Sequence, residues 1–154
     1  MLMGSNFVVR RSVFEELGKF DERFGAGSFW GSGEETDFCW KAYFAKKEME
    51  FFKELIVYHV PPFQESVKTG FRKSFNYGVG KGALVWKWLF REHKVVVVYE
   101  LLEMFIIPFI LMLRALLTFK FSVVTNNFAA IAGRLTGLVK AIFLFPPKLK
   151  GRSD

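Results

Sequence analysis

With 154 residues, 51% of them hydrophobic and 20 of them phenylalanine, the chain has room for one domain with a real core. Its 22 basic and 15 acidic residues give a net charge of +7. No nucleic-acid motif accompanies that surplus, so nucleic acid is set aside as a partner. Cys39 is the only cysteine, which excludes an intrachain disulfide and leaves the redox compartment open.

Residues 1–94 read as a soluble α/β protein, whereas 95–146 is dominated by Val, Leu, Ile, Phe and Ala. The N-terminal Met1-Leu-Met-Gly-Ser-Asn6 lacks a basic region followed by a long apolar stretch and does not read as a signal peptide. Asn6 to Val9 is predicted as a short strand. Ser12-Val-Phe-Glu15 has the spacing of a capping box, and Gly18 is a natural stop, which places a short helix over about 13–17. Lys19 to Gly31 is rich in glycine and aromatic residues and reads as a loop packed over something. Ser32-Gly-Glu-Glu35 repeats the capping-box spacing. The helix behind it is expected to run to about Lys46, with Phe38, Ala42 and Ala45 on one stripe. Glu50 to Val60 is strand-like, and Pro61-Pro62 ends it. The glycine-punctuated segment from Val67 to Lys87 is expected to be partly helical.

Two apolar segments follow. Val95 to Leu117 is interrupted by Glu100, Glu103, Pro108 and Arg114, and Phe128 to Phe145 by Arg134 and Lys140. A crossing helix needs about 20 mostly apolar residues, and a charge at mid-bilayer costs a few kcal/mol. Two crossing helices and two amphipathic helices lying in the interface both remain open. Between Ser66 and Lys94 stand seven basic residues (Lys68, Arg72, Lys73, Lys81, Lys87, Arg91, Lys94) against one acid, Glu92. A basic collar before an apolar run suits anionic head groups and a cytoplasmic location. With Lys148, Lys150 and Arg152 after the second segment, both ends of a crossing pair would be cytoplasmic. The division is therefore 1–92, a basic-collared domain; 93–147, a membrane-associated helical hairpin; and 148–154, a basic tail.

The residues that carry chemistry are Glu34, Glu35 and Asp37 in the first turn of the second helix. Glu34 and Asp37, three apart, share a helix face, while Glu35 is rotated by about 100°. The helix dipole and free backbone N–H groups keep such carboxylates ionised, and an ionised carboxylate in a cleft can take a proton from an attacking hydroxyl. His59 closes the predicted strand, and a neutral imidazole there could ligate a divalent cation. The plainer alternative is that the acids cap the helix and the histidine is a bystander.

The order of several features adds to this. Gly4-Ser5-Asn6 precedes Arg10-Arg11, then Leu17-Gly18-Lys19-Phe20-Asp21-Glu22-Arg23-Phe24, then Gly33-Glu34-Glu35-Thr36-Asp37-Phe38 with Lys41, and finally Val57-Tyr58-His59. From about Gly4 to Gly78 the chain resembles the second half of the catalytic domain of family 2 glycosyltransferases with the GT-A fold. That resemblance implies an α/β fold: a partial, Rossmann-like GT-A domain without its N-terminal nucleotide-binding half, followed by two hydrophobic helices.

It also implies roles. Glu35 stands at the position of the catalytic base, where the family usually has Asp, so the reach is one methylene longer. Glu34 would contact the acceptor, and Asp37 matches the second family acid. Lys41 replaces the usual Arg, keeping charge without the bidentate geometry. His59 matches a histidine that helps bind metal and nucleotide diphosphate. Gly4, Ser5, Asn6 and Gly33 match cleft-lining positions, Trp30 could stack on a sugar, and Arg72 lies in the basic stretch after the histidine.

The family's Asp-x-Asp metal pair is absent from these 154 residues, whose only aspartates are Asp21, Asp37 and Asp154. A divalent metal, Mn or Mg, is thus expected only together with the nucleotide-binding half, which a separate polypeptide could supply. The activity implied is inverting transfer of a sugar from a nucleotide-diphosphate donor to a lipid-linked or glycan hydroxyl, with membrane lipids as further partners. The chain by itself is expected to be inactive. A non-catalytic, membrane-anchored interaction protein with a lipid-binding basic collar is the competing expectation.

Overall fold

The computed structural model of the protein describes residues 6–58 and 66–145. Five α-helices occur among them, α1 (Arg11–Leu17), α2 (Glu34–Phe44), α3 (Val67–Trp86), α4 (Val98–Leu117) and α5 (Phe121–Leu144). The described residues contain no strand, which overturns the expected α/β, Rossmann-like GT-A architecture. The two predicted strands have no ladder to join. Residues 6–9 and 50–58 run as irregular chain, touching where the Asn6 side-chain amide donates to the Leu55 carbonyl at 2.9 Å. Residues 50–58 lie wholly on the surface, with Phe51 and Tyr58 among the most exposed side chains. β-Branched and aromatic residues make a strand only against a neighbouring strand, and the described residues provide none.

Both expected capping boxes are also absent. α1 begins at Arg11 rather than Val13, without a side-chain cap, and Glu15 turns instead to Arg11 at 2.8 Å. Gly33, not Ser32, precedes α2, and Ser32 donates its hydroxyl to the Tyr77 carbonyl at 3.4 Å. Gly33 has φ +106°, a left-handed conformation that glycine adopts without the penalty of a Cβ. α3 does carry a hydroxyl cap, since the Thr69 amide donates to Ser66 Oγ at 3.2 Å.

The dominant packing is between α3 and α5. A methyl group at Gly78 or Gly82 would overlap the carbonyl oxygens of Ala130 and Arg134, and one at Gly133 or Gly137 those of Phe75 and Val79. Two small-residue pairs at i, i+4 therefore bring the helix backbones together, the device that lets helices approach most closely. Contacts advance together along both helices, from Gly70 against Asn126 to Gly82 against Arg134 and Leu138. α3 and α5 are thus parallel, and the Trp86 indole N–H donating to the Phe145 carbonyl at 2.9 Å marks their common end. α4 returns antiparallel against α5, with the Arg134 guanidinium donating to the Met104 carbonyl. Packing across the boundary at residue 92 is accordingly the most extensive between helices among the described residues.

After α3 the chain widens into a π-helical turn, Lys87–Arg91, and a 3₁₀ turn, Val95–Val97, leads into α4. The core gathers Phe24, Trp30, Leu84, Val85, Trp88, Met104 and Phe145. A second aromatic cluster, Phe14, Phe20 and Phe38 with centroids 5.2–5.4 Å apart, fixes α1 on α2.

Candidate functional site

The three acids at the start of α2 have separated fates. Asp37 is fully buried. Its Oδ1 accepts from Lys87 Nζ at 2.7 Å and Trp88 Nε1 at 2.8 Å, while Oδ2 has only the Lys41 ammonium at 3.7 Å and no hydrogen bond. The π-helical turn is what aims Lys87 and Trp88, consecutive in sequence, at the same carboxylate oxygen. Lys87 also donates to Asp21 Oδ2 at 3.0 Å, and Arg23 grips both oxygens of Asp21 at 2.7 and 2.8 Å. Arg23 in turn lies over the Phe145 ring, 4.3 Å from its centroid. One chain of charges thus joins α2, the loop, the end of α3 and the end of α5. Burial pushes the Asp21 carboxyl up, but the Arg23 and Lys87 contacts outweigh it and hold the group well below the usual carboxylate range. Burial, followed by the nearby Glu35 charge, pushes the Cys39 thiol up.

Asp37 is therefore a structural anchor and not a solvent-facing base, which corrects its expected catalytic role. Lys41 is engaged inside the fold as well, donating to the Lys19 carbonyl at 3.1 Å. Trp30 is 1% exposed; its ring packs between Phe24 and Phe145 at 6.3 and 5.7 Å, so it offers no face to a sugar. Gly33 serves the turn into α2.

Glu34 and Glu35 differ from Asp37. Both are part-exposed on the first turn of α2, where no side chain caps the helix. The Glu34 carboxylate lies under the loop, so that a methyl at Gly25 would come within 3.1 Å of its carboxyl carbon. The same loop forms an open groove of about 280 Å³ with α3, lined by Gly27, Gly31, Thr69, Arg72, Asn76 and Tyr77 among others. Arg72 is thus brought to the loop that carries Trp30 and Gly33. Asn6 is exposed and its side-chain amide donates to the Leu55 carbonyl. Gly4, Ser5 and His59 lie outside the described residues, as does any metal site built on His59. Among the described residues no three His, Cys, Asp or Glu side chains come together, and Asp37 is committed to Lys87. The described acids alone therefore do not fit a divalent cation.

Lys87, Trp88 and Asp21 are the residues that sequence reasoning passed over. In sequence Lys87 is one more basic residue of the collar, and nothing in a helical pattern announces a π-helical turn. The glycine pairs, by contrast, are visible at i, i+4 in both helices. Comparison with protein-family models, curated proteins and solved structures finds no match to this chain. Two helices, Val95–Leu117 including its 3₁₀ turn and Phe121–Leu144, are long and apolar enough to cross a membrane by length and composition.

Proposed function

We propose that this chain supplies the acceptor side of an inverting sugar transferase held at the cytoplasmic face of a membrane, working with a nucleotide-binding region on another polypeptide or another part of the same protein. The reading rests on chemistry and not on an α/β sheet. Its main support is the placement of Glu34 and Glu35 on an uncapped, part-exposed first turn, beside a loop that also forms a groove with Arg72. Free N–H groups at that turn favour the ionised carboxylate. Glu35 takes the proton of an acceptor hydroxyl as its oxygen bonds to the anomeric carbon. The bond from that carbon to the nucleotide diphosphate breaks on the opposite face, and the diphosphate leaves with the electron pair. Asp37 supports the turn from behind through Lys87 and Trp88. The exposed apolar chain around Phe51, Ile56 and Tyr58 suits a surface that a nucleotide-binding partner covers.

A second reading, a non-catalytic membrane-anchored interaction protein, is favoured by the wholly structural use of Asp37. The two are separated by combining the chain with its nucleotide-binding partner, nucleotide sugar and Mn²⁺ or Mg²⁺, and measuring transfer by wild type and Glu35→Gln. A loss of about a hundredfold or more, the low end of general-base contributions, with an unchanged circular dichroism spectrum supports sugar transfer. Equal turnover removes Glu35 as the base and leaves the interaction reading.

A further inference from the structure

We infer that α4 and α5 lie in the plane of an anionic membrane surface as one docking face and do not cross the bilayer. This extends the membrane attachment in the reading above and does not depend on sugar transfer.

The argument starts from α3. It runs parallel to α5 with backbone contacts from Gly70–Asn126 to Gly82–Arg134, so a crossing α5 would carry α3 through the bilayer with it. α3 begins with Lys68, Arg72 and Lys73, which would sit beside the α4–α5 turn on the far side. Lys81 and Glu100, an ion pair between α3 and α4, would enter the hydrocarbon. The loop of residues 24–33 and α2 also pack along α3, through Gly80 against Ser32 and Lys87 and Trp88 against Asp37. The polar body therefore lies level with the helices over half their length, and lipid cannot surround them. A charge at mid-bilayer costs a few kcal/mol, and crossing here would bring several.

The same packing leaves one side free. At about 100° per residue, α4 turns Met104, Pro108 and Ala115 toward α5, and all three are buried. Its charged residues Glu100, Glu103 and Arg114 share a flank about 60° wide on the α3 side. Ile106, Phe109, Ile110 and Leu113 occupy an uncharged arc of about 100° next to that flank, and each is roughly half-exposed. α5 does likewise: Phe128, Leu135 and Val139 are exposed opposite its glycine stripe, while Lys140 sits toward the α3 side. The two arcs form one apolar face with charged residues along its border, Glu100, Glu103 and Arg114 on α4 and Lys140 on α5, the pattern of a helix lying at the head-group boundary. Lipid fits this face better than a protein partner does, because an uncharged arc continues along two helices as long and apolar as membrane-crossing ones, and a net charge of +7 complements anionic head groups.

Adjacent residues on α4 provide the test. Ile106 lies in the uncharged arc and Ile107 on the charged flank; both are exposed, at 51% and 44%, and in a crossing helix they would share one depth. Flotation of the full chain with phosphatidylcholine vesicles, with and without phosphatidylglycerol, should show binding favoured by phosphatidylglycerol. Ile106→Lys should weaken it more than tenfold and Ile107→Lys less than threefold; equal losses overturn the in-plane arrangement. In a Cys39→Ala background, Lys68→Cys and Thr118→Cys variants synthesised beside sealed vesicles should react with an impermeant maleimide at the same rate before and after detergent. Protection of both sites until detergent is added also overturns it. Failure to float on either vesicle, or self-association through this face without lipid, overturns membrane docking itself and leaves the Glu35 assay unaffected.

Discussion

The parallel contact between α3 and α5 makes a sharp prediction, because two buried glycines on the same helix should respond to alanine in opposite directions. At Gly82 an added methyl would overlap the Arg134 carbonyl oxygen and press on the Leu138 backbone nitrogen. Neither atom is the end of a flexible side chain, so the helices must move apart. Overpacking of this kind costs about 1–3 kcal/mol, and contact with backbone places it near the upper end. Replacing glycine inside a helix returns about 1 kcal/mol. The net expectation for Gly82→Ala is a loss of about 2 kcal/mol, or about 4–8 °C in Tm for a chain of this size. At Gly70 the same methyl would meet only the side-chain amide of Asn126, at 3.1 and 3.2 Å. The Oδ1 of that amide is buried without a hydrogen-bond partner, so the side chain can turn aside at little cost. Gly70→Ala should then be neutral or more stable by up to about 1 kcal/mol. Thermal and urea unfolding followed by circular dichroism in a mild detergent measures both. A Gly82→Ala variant as stable as wild type would refute the close backbone approach of α3 and α5.

Asp37→Ala should destabilise the chain by about 3 kcal/mol, the low end for one partner removed from a buried ion pair, because Asp21 still faces Lys87 at 3.0 Å. Tryptophan fluorescence should report the lost Trp88 contact, while Glu35→Gln should leave stability within about 0.5 kcal/mol; equal losses would deny the separate fates of the two acids. The depressed Asp21 carboxyl gives a pH signature. A carboxyl held below its unfolded value of about 3.9 adds stability that is present above that pH and lost as pH falls toward the folded value. Urea midpoints of wild type should therefore fall more steeply than those of Asp21→Asn below about pH 4, and parallel slopes would show that Arg23 and Lys87 do not hold the group ionised.

Local pattern in this sequence was enough to place α1, α2 and α4 with its leading 3₁₀ turn to within two residues, whereas α5 begins at Phe121 and not at the expected Phe128. Gly18 ends α1 with φ +78° as a stop glycine should, the acids do open α2, and the apolar spacing after residue 95 does form two long helices. These features depend on neighbours three or four residues apart, which sequence alone displays. Expectations that depended on remote partners went differently. The apolar residues between 50 and 58 read as a strand, yet a strand is defined by a neighbouring strand and none is present among the described residues. Asp37 read like its neighbours Glu34 and Glu35, and only the approach of Lys87, 50 positions later, turned it into an anchor. Trp30 looked available for a ligand until Phe145 closed over it. Periodicity determined that α4 and α5 would be apolar helices with their few charges set apart from the exposed apolar arcs. Which face of them is left uncovered was decided by the glycines that let α3 lie along α5, because direct backbone contact permits only one relative placement of the two helices.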